Sequence, residues 1–239
     1  VISGTKVWIS SAQVADKMLI LARTTPLGQV SNPKLGLSLF YTDLDRSSIE
    51  VHEIEKMGRK AVDCNELFID GLSVPVEDRI GEEGRGFEYI LDGLNPERIL
   101  VAAECVGIGR AALAKAGAYA RERTVFDRPI GQNQAIQHPL ADSWAHLQAA
   151  DLLMLSAAWR YDRKLSCGAE ANAAKYVAAE TCFTACERAV MTHGGYGYAK
   201  DYHVERLFRE AMIPRLVPIS PQLILCYIAE RVLGLPKSY

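Results

Sequence analysis

The spacing of apolar residues changes once along the chain, at residues 81–86, and this change limits the possible folds more than any other feature. Up to about Pro75, apolar residues form short, often alternating clusters separated by polar or Gly/Pro stretches, which is typical of an antiparallel sheet. Beyond residue 86, long segments rich in Ala, Leu, Glu and Arg repeat with a period near 3.6, which predicts helices. We therefore expect an α+β chain, with antiparallel strands in residues 1–80 and helices in residues 81–239.

The helical repeat predicts segments at about 87–121, 131–165, 169–193, 201–212 and 219–233. Asn95-Pro96 lies inside the first segment. Because proline lacks a backbone donor and clashes with the preceding turn, it either kinks this helix or ends one helix and caps the next. The second and third helices carry wide apolar faces, which suggests a bundle that also packs against a second subunit.

Composition excludes several classes of protein. The 239 residues are 49% apolar with a formal charge of -2, so no basic surface favours nucleic acid or an anionic membrane. The six cysteines are scattered without a CxxC pair, which argues against a zinc site or a disulfide framework and favours free thiols. No run of about 20 apolar residues predicts a membrane span, and no leader opens the chain, so we expect a soluble intracellular protein without a metal.

Residues 121–134 form a basic link between two predicted helices, and this link is the first candidate site. Arg121, Arg123 and Arg128 supply forked guanidinium donors that suit a diphosphate. The alternative is a solvated helix end whose cations complement the helix dipole.

Two further segments each allow two interpretations. In His193-Gly194-Gly195-Tyr196-Gly197-Tyr198 the glycines permit close approach of a ligand to the backbone, or they simply stop a helix. Glu97, beside apolar residues, is a candidate general base. Alternatively, Asn95, Pro96 and Glu97 are the cap and first turn of a helix.

Several motifs, taken in order, resemble the acyl-CoA dehydrogenase family over essentially the whole chain. They are Gly4-Thr5-Lys6-Val7-Trp8-Ile9-Ser10, Ile80-Gly81-Glu82-Glu83-Gly84-Arg85-Gly86-Phe87, Glu97-Arg98, Arg123-x-x-Phe126 with Gln134, Gly194-Gly195-Tyr196-Gly197, and Arg206-Leu207-Phe208-Arg209-Glu210-Ala211. The resemblance implies a partial antiparallel β domain at residues 1–80, which is part of the family's middle β-barrel domain, and an all-α C-terminal four-helix bundle at residues 81–239. It also implies that the chain begins inside the middle domain and, without the family's first domain, is an incomplete enzyme in isolation.

The resemblance implies an FAD site assembled from several segments. Trp8 and Ser10 match positions beside the isoalloxazine, and Ser220 and Gln222 match further flavin contacts. Arg123, Phe126 and Gln134 match the loop that reaches the diphosphate and adenine of the neighbouring subunit's flavin, and Gly194 and Gly195 match backbone that approaches the same dinucleotide. Two positions depart from the family pattern: Met191 replaces a flavin-contacting glutamine, and Glu210 replaces an aspartate.

A third departure concerns the catalytic base. Most family members carry a glutamate where this chain has Val217-Pro218-Ile219-Ser220, and proline cannot abstract a proton. A minority place the base in the earlier helix, in a Glu-Arg pair that Glu97 and Arg98 match. The resemblance therefore implies that Glu97 is the base and that Arg98 lies near the acyl-CoA.

The implied reaction is α,β-dehydrogenation of an acyl-CoA thioester to a trans-2-enoyl-CoA, with electrons passed to electron-transferring flavoprotein. The implied assembly is a homodimer or homotetramer, in the cytoplasm of a bacterium or in a mitochondrion or peroxisome of a eukaryote. Alternatives are an acyl-CoA oxidase-like flavoenzyme and a non-catalytic binding or oligomerisation module on the same fold.

Overall fold

A computed structural model describes residues 1–238 of the chain. These residues form two compact units, Val1–Gly93 and a second that begins at Leu94. The first holds all the longer strands and the second is helical apart from one short hairpin. The predicted α+β class, with antiparallel strands before helices, is confirmed.

The first unit contains two small antiparallel sheets. One has the strand order β1 (Ile2–Ser10), β5 (Cys64–Leu72), β4 (Ile49–Glu53). The other has the order β2 (Lys17–Arg23), β3 (Leu37–Asp43), β6 (Arg79–Ile80). The two residues of β6 escape prediction because so short a run carries no apolar period.

The alternation of buried and exposed side chains along the strands determines which residues form the core of this unit. In β5, Leu67 and Ile69 are buried while Phe68 between them is exposed, since successive side chains point to opposite faces. Removing one such Leu or Ile side chain from water contributes about 1.5–3 kcal/mol. The buried cluster comprises Ala12, Met18, Ile20, Leu44, Ile49, Leu67, Ile69 and Leu72.

The second unit is built on α1 (Gly86–Glu122), α2 (Gln134–Asp162), α3 (Gly168–His193) and α6 (Pro221–Arg231), with the short helices α4 (Val204–Glu210) and α5 (Ile213–Leu216) between α3 and α6. Its core is rich in alanine, with Ala112, Ala150 and Ala178 fully buried. Small side chains let helices approach closely: a Cβ added at Gly109 of α1 would lie 2.7 Å from Leu147 of α2.

One helix prediction needs correction and one open alternative is decided. Asn95-Pro96 does not begin a new helix, because α1 continues through Pro96 without a break. The predicted single helix at 201–212 is instead a 3₁₀ turn at Lys200–Tyr202 followed by α4, and α5 lies beyond the predicted range. His203 between the turn and α4 has a φ of 61°, in the left-handed region, which interrupts a right-handed helix.

All six cysteines are free thiols, as predicted, and Cys105, Cys182 and Cys186 are buried. Hydrogen bonding with Cys105 and Cys186, together with burial, raises the pKa of the Cys182 thiol, so this sulfur stays protonated and unreactive. Within residues 1–238, no group of three or more His, Cys, Asp and Glu side chains could hold a metal ion.

In the same residues, no single helix is long and apolar enough to cross a membrane. The bent pair Val204–Leu216 and Pro221–Arg231 passes the length and composition test only when its two parts are taken together.

Candidate functional site

A cavity of about 650 Å³ lies in the second unit where the C-terminal ends of α1 and α3 meet. Arg123 lies one residue beyond α1, and Met191, Thr192 and His193 end α3. The complete lining is Tyr119, Arg123, Val125, Ile130, Met191, Thr192, His193, Gly194, Gly195, Tyr196 and Ala199. The cavity thus joins the two segments that the sequence singled out separately, the basic link and the glycine-rich string.

The basic link contains a short hairpin that the sequence pattern did not predict. Strands β7 (Thr124–Val125) and β8 (Arg128–Pro129) are joined by Phe126 and Asp127, whose φ angles are 53° and 61°. Two left-handed residues in succession match a tight turn whose twist fits a hairpin. The Phe126 ring at the tip is 91% exposed, and a bulky side chain in this conformation is strained.

The glycine-rich segment ends α3, as one interpretation of it expects, and it also lines the cavity. Gly194 has φ 58° and ψ -133°, a region accessible almost only to glycine, and its N–H donates to the Met191 carbonyl. A Cβ added at Gly194 or Gly195 would meet no atom within 4 Å. Gly197 differs, because a Cβ there would collide with the Val190 carbonyl, so its role is to let two stretches of backbone pack.

Aromatic rings form one side of the cavity. The ring of His193 stacks on Tyr119 with centroids 4.3 Å apart and meets Tyr202 at 5.5 Å. Tyr196 lies 5.3 Å from Tyr202. The sequence pattern gives no role to His193 and does not single out Tyr119 or Tyr202. The spacing of Tyr119 and Arg123, one helical turn, is a signal that could have found Tyr119.

Two residues of the basic link that the sequence predicts for the site lie outside this cavity. Gln134 is the exposed first residue of α2, and Phe126 is at the hairpin tip. Neither belongs to the lining. Both side chains project from the surface of the unit close in sequence to Arg123, where they remain accessible to a partner or ligand.

Trp8 and Ser10 lie in the first unit, on β1. Trp8 has a φ of 63° within the strand, where the pairing of β1 with β5 shifts register between Lys6 and Ile9. A strand irregularity of this kind redirects a side chain, and the indole is 60% exposed. Ser10 is exposed and pairs with Cys64 of β5.

Glu97 and Arg98 lie next to each other in α1. The Glu97 side chain is exposed, whereas Arg98 is half-buried and donates from Nη1 to Asn95 Oδ1 at 2.9 Å. The Nε atom of Arg98 is buried and has no hydrogen-bond partner. Burial lowers the pKa of this guanidinium, while neighbouring Glu97 opposes the shift. A buried donor without an acceptor is a place where a polar group of a ligand can bind.

The segment at residues 217–220 has no acidic group, and a lysine holds it. Lys175 on α3 is fully buried and its Nζ donates to the Ile219 carbonyl at 2.8 Å. Burial lowers the pKa of this amine. Ser220 caps the start of α6, where its Oγ accepts from the Leu223 N–H at 3.4 Å, and Gln222 is exposed as the second residue of the helix. Sequence reasoning missed Lys175, because nothing in the pattern marks one lysine of an alanine-rich helix as buried.

Comparison with known protein families assigns the chain to one of them. The model described as "Acyl-CoA dehydrogenase, C-terminal domain" matches residues 84–218, and the model "Acyl-CoA dehydrogenase, middle domain" matches residues 1–72. The chain belongs to the acyl-CoA dehydrogenase family. The family expected from the order of the motifs is therefore confirmed.

Two curated relatives illustrate the similarity. Acyl-CoA dehydrogenase FadE12 of Mycobacterium tuberculosis is 36% identical over 241 residues, which cover 100% of this chain and 61% of the relative. The caffeyl-CoA reductase-Etf complex subunit CarC of Acetobacterium woodii is 36% identical over 213 residues, covering 89% of this chain and 55% of the relative. The chain thus spans about three fifths of the length of these acyl-CoA dehydrogenase relatives.

Solved structures of the family agree with the fold. The glutaryl-coenzyme A dehydrogenase complex with glutaryl-CoA superimposes with a TM-score of 0.92 at 34% identity, covering 99% of this chain and 59% of that one. The FAD complex of PigA gives a TM-score of 0.90 at 25% identity, covering 98% of this chain and 60% of that one.

Proposed function

We propose that the protein catalyses FAD-dependent α,β-dehydrogenation of an acyl-CoA thioester to a trans-2-enoyl-CoA. The observation that supports this most is the cavity that Arg123, Gly194 and Gly195 line together. These residues come from two distant motifs of the acyl-CoA dehydrogenase pattern, and the fold places them on one surface. A folding role alone does not require that convergence.

The side chains and backbone of this cavity fit FAD. Arg123 offers a guanidinium fork suited to a diphosphate, and the open side of Gly194 and Gly195 lets a ligand approach the main chain. We propose that Phe126 and Gln134 contact the same FAD, which belongs to the neighbouring subunit. Trp8, Ser10, Ser220 and Gln222 are the remaining proposed flavin contacts. When bound, FAD would supply the acceptor for the hydride that leaves the substrate β carbon.

Glu97 is the proposed general base, which takes the proton from the substrate α carbon. Two features support this choice. Its side chain is exposed on α1 and so is reachable by a ligand, and the segment that carries the base in most relatives has Pro218 in its place. Arg98 is the proposed substrate-binding neighbour, since its buried Nε still lacks an acceptor. Positioned carboxylates of this type act by accepting a proton as charge develops in the transition state.

Electron-transferring flavoprotein is the proposed electron acceptor. The relative from Acetobacterium woodii is by name a subunit of an Etf complex, at 36% identity. We also propose the cytoplasm as the compartment in a bacterium, and a mitochondrion or peroxisome in a eukaryote.

A homodimer or homotetramer is the proposed assembly, and α2 supports it. Trp144, Leu152, Leu155 and Trp159 fall within one arc of the helix and are 51–68% exposed. An exposed apolar surface of this kind along one arc of a helix is typical of a protein interface.

The variant Glu97→Gln tests the base. We expect anaerobic reduction of bound flavin by acyl-CoAs to slow by at least about 100-fold, the range for losing a general base, while acyl-CoA binding is kept. The matched control is Asp92→Asn, an exposed carboxylate on the same helix, which should leave the rate unchanged. Unchanged flavin reduction in Glu97→Gln would contradict the assignment. Admission of air separates the alternatives, since rapid reoxidation of the reduced enzyme by oxygen indicates an oxidase.

A further inference from the structure

We infer that His193 is a positioning residue that sets the geometry of the Arg123 and Gly194–Gly195 wall for a dinucleotide's diphosphate. The inference rests on the proposed FAD site and extends it to a residue outside the motif roles. His193 is the last residue of α3 and is 4% exposed, yet its ring reaches the cavity lining. It therefore lies directly behind the groups proposed to contact the ligand.

The imidazole is held in one orientation by a backbone carbonyl. Its Nδ1 lies 2.8 Å from the Ala189 oxygen, and because a carbonyl can only accept, Nδ1 must carry the hydrogen. This bond spans one turn of α3 and fixes the ring plane relative to the helix axis. The orientation of the ring is thus determined before any ligand binds.

The stacking of His193 on Tyr119 couples the orientation of the imidazole to α1. Tyr119 is four residues before Arg123, and its carbonyl accepts the Arg123 N–H at 2.8 Å. The two rings are 4.3 Å apart with a 23° angle between their planes. Moving the imidazole therefore moves the turn of α1 that ends at Arg123.

Gly194 and Gly195 follow His193 directly, so the same ring also anchors the start of the glycine-rich segment. Its contact with Tyr202, which in turn meets Tyr196, supports the middle of that segment. One side chain thereby links the end of α1 to the glycine-rich segment, and both line the cavity. The titratable and charged groups around it are Tyr119 and Arg123 from α1 and Tyr196 and Tyr202 from the segment after α3.

The test uses the purified protein stripped of flavin, with FAD and ADP as separate probes. ADP carries only the diphosphate and adenosine, so it reports the cavity without the isoalloxazine. We expect His193→Ala to weaken both probes by the same factor of up to about tenfold, the range for losing one aromatic pair. His193→Phe keeps the ring and should recover most of the affinity.

A double-mutant cycle with Tyr119→Leu gives a readout that a general loss of stability does not change. We expect Tyr119→Leu to match His193→Ala, and the double variant to be no worse than either, because both remove one stack. His146→Ala, at an exposed position on α2 away from the cavity lining, is the control that should bind normally. If His193→Ala does not fold, Tyr119→Leu and His193→Phe still carry the prediction.

The outcomes separate this inference from the proposed function. Wild-type protein that binds neither FAD nor ADP, measured on the whole protein, overturns both. Wild-type binding that Arg123→Ala weakens but His193→Ala and Tyr119→Leu do not leaves the proposed cofactor in place and refutes the positioning role. Additive losses in the double variant also refute it.

Discussion

At the scale of single residues, the buried amine of Lys175 is costly to remove from water. A lysine is rarely buried completely, and the Nζ of this one donates to the Ile219 carbonyl. The lysine holds the segment that leads into α6, and Ser220 then caps that helix. Lys175 thus joins α3 to the part of the chain where most relatives carry their catalytic glutamate.

Lys175→Ala should destabilise the protein by about 2–5 kcal/mol, because it leaves a cavity and an unpaired Ile219 carbonyl. Thermal or urea unfolding measures this. The control Lys200→Ala removes an exposed lysine and should change stability by less than about 0.5 kcal/mol. Equal stability of the two variants would show that the amine is not held as described.

The sequence predicts candidate site residues but not their backbone conformations. Trp8, Phe126 and Gly194 are recognised from motifs, but nothing in the letters predicts a left-handed Trp8 in a strand or a left-handed Phe126. Such conformations persist only because surrounding contacts enforce them, and those contacts are tertiary. For the same reason, the sequence does not predict the burial of Lys175 or the stacking of Tyr119 on His193.

At the scale of elements, the glycine-rich segment Gly194–Tyr198 combines two different requirements. Gly197→Ala should lower stability by about 1–3 kcal/mol or more, because its Cβ would overpack against the Val190 carbonyl, which is rigid backbone. Gly195→Ala has open space around its Cβ and should fold normally while weakening FAD binding. Unfolding midpoints and flavin titration of the two variants check the contrast. Loss of stability in both, or in neither, would refute it.

Helix prediction succeeds where the apolar period is long and fails at breaks. The period locates α1 and α3 within a residue or so, and α2 within a few. It does not decide between kink and cap at Pro96, because the packing of the neighbouring turns determines whether a helix tolerates proline. The hairpin β7–β8 is too short to have a period, and His203 breaks the segment after α3 through a conformation that its sequence does not specify.

At the scale of the whole molecule, hydrogen-bonded carboxylates in both units make stability depend on acid. Bonds from Asn65 and Gln13 lower the pKa of Asp63 below its ordinary 3.8, and a bond from Arg188 does the same for Asp142. A lowered pKa means that the folded state releases the proton more readily. The stabilisation is therefore complete above the ordinary pKa and is lost as pH falls through the folded value.

We expect the unfolding midpoint to fall as the solution is acidified from about pH 6 to about pH 3, most steeply below about pH 4. Asp63→Asn and Asp142→Asn should each reduce the slope in that range, because neither amide titrates. Asp92→Asn, an exposed residue, should not change it. Melting curves at several pH values measure the slopes. Identical slopes in all four proteins would contradict the assignment.

The class and order of the two units follow from the sequence because one change of apolar period separates them. The convergence of Arg123 with Gly194 does not follow, since it depends on where two long helices end in space. Motif order bridges this gap only because the acyl-CoA dehydrogenase family repeats the same arrangement. For a chain with the same apolar periods but unfamiliar motifs, the sequence would predict the fold class and none of the site residues.

The alanine-lined interior of the helical unit leaves little room for larger side chains. Where methyl groups such as those of Ala112 and Ala178 are all that separates neighbouring backbones, any larger side chain forces the helices apart along their whole length. Variation that adjusts this protein to a new ligand is thereby steered away from the interior and toward the rims of the helices. The close packing of this interior therefore confines adaptive substitutions to the rims of the helices.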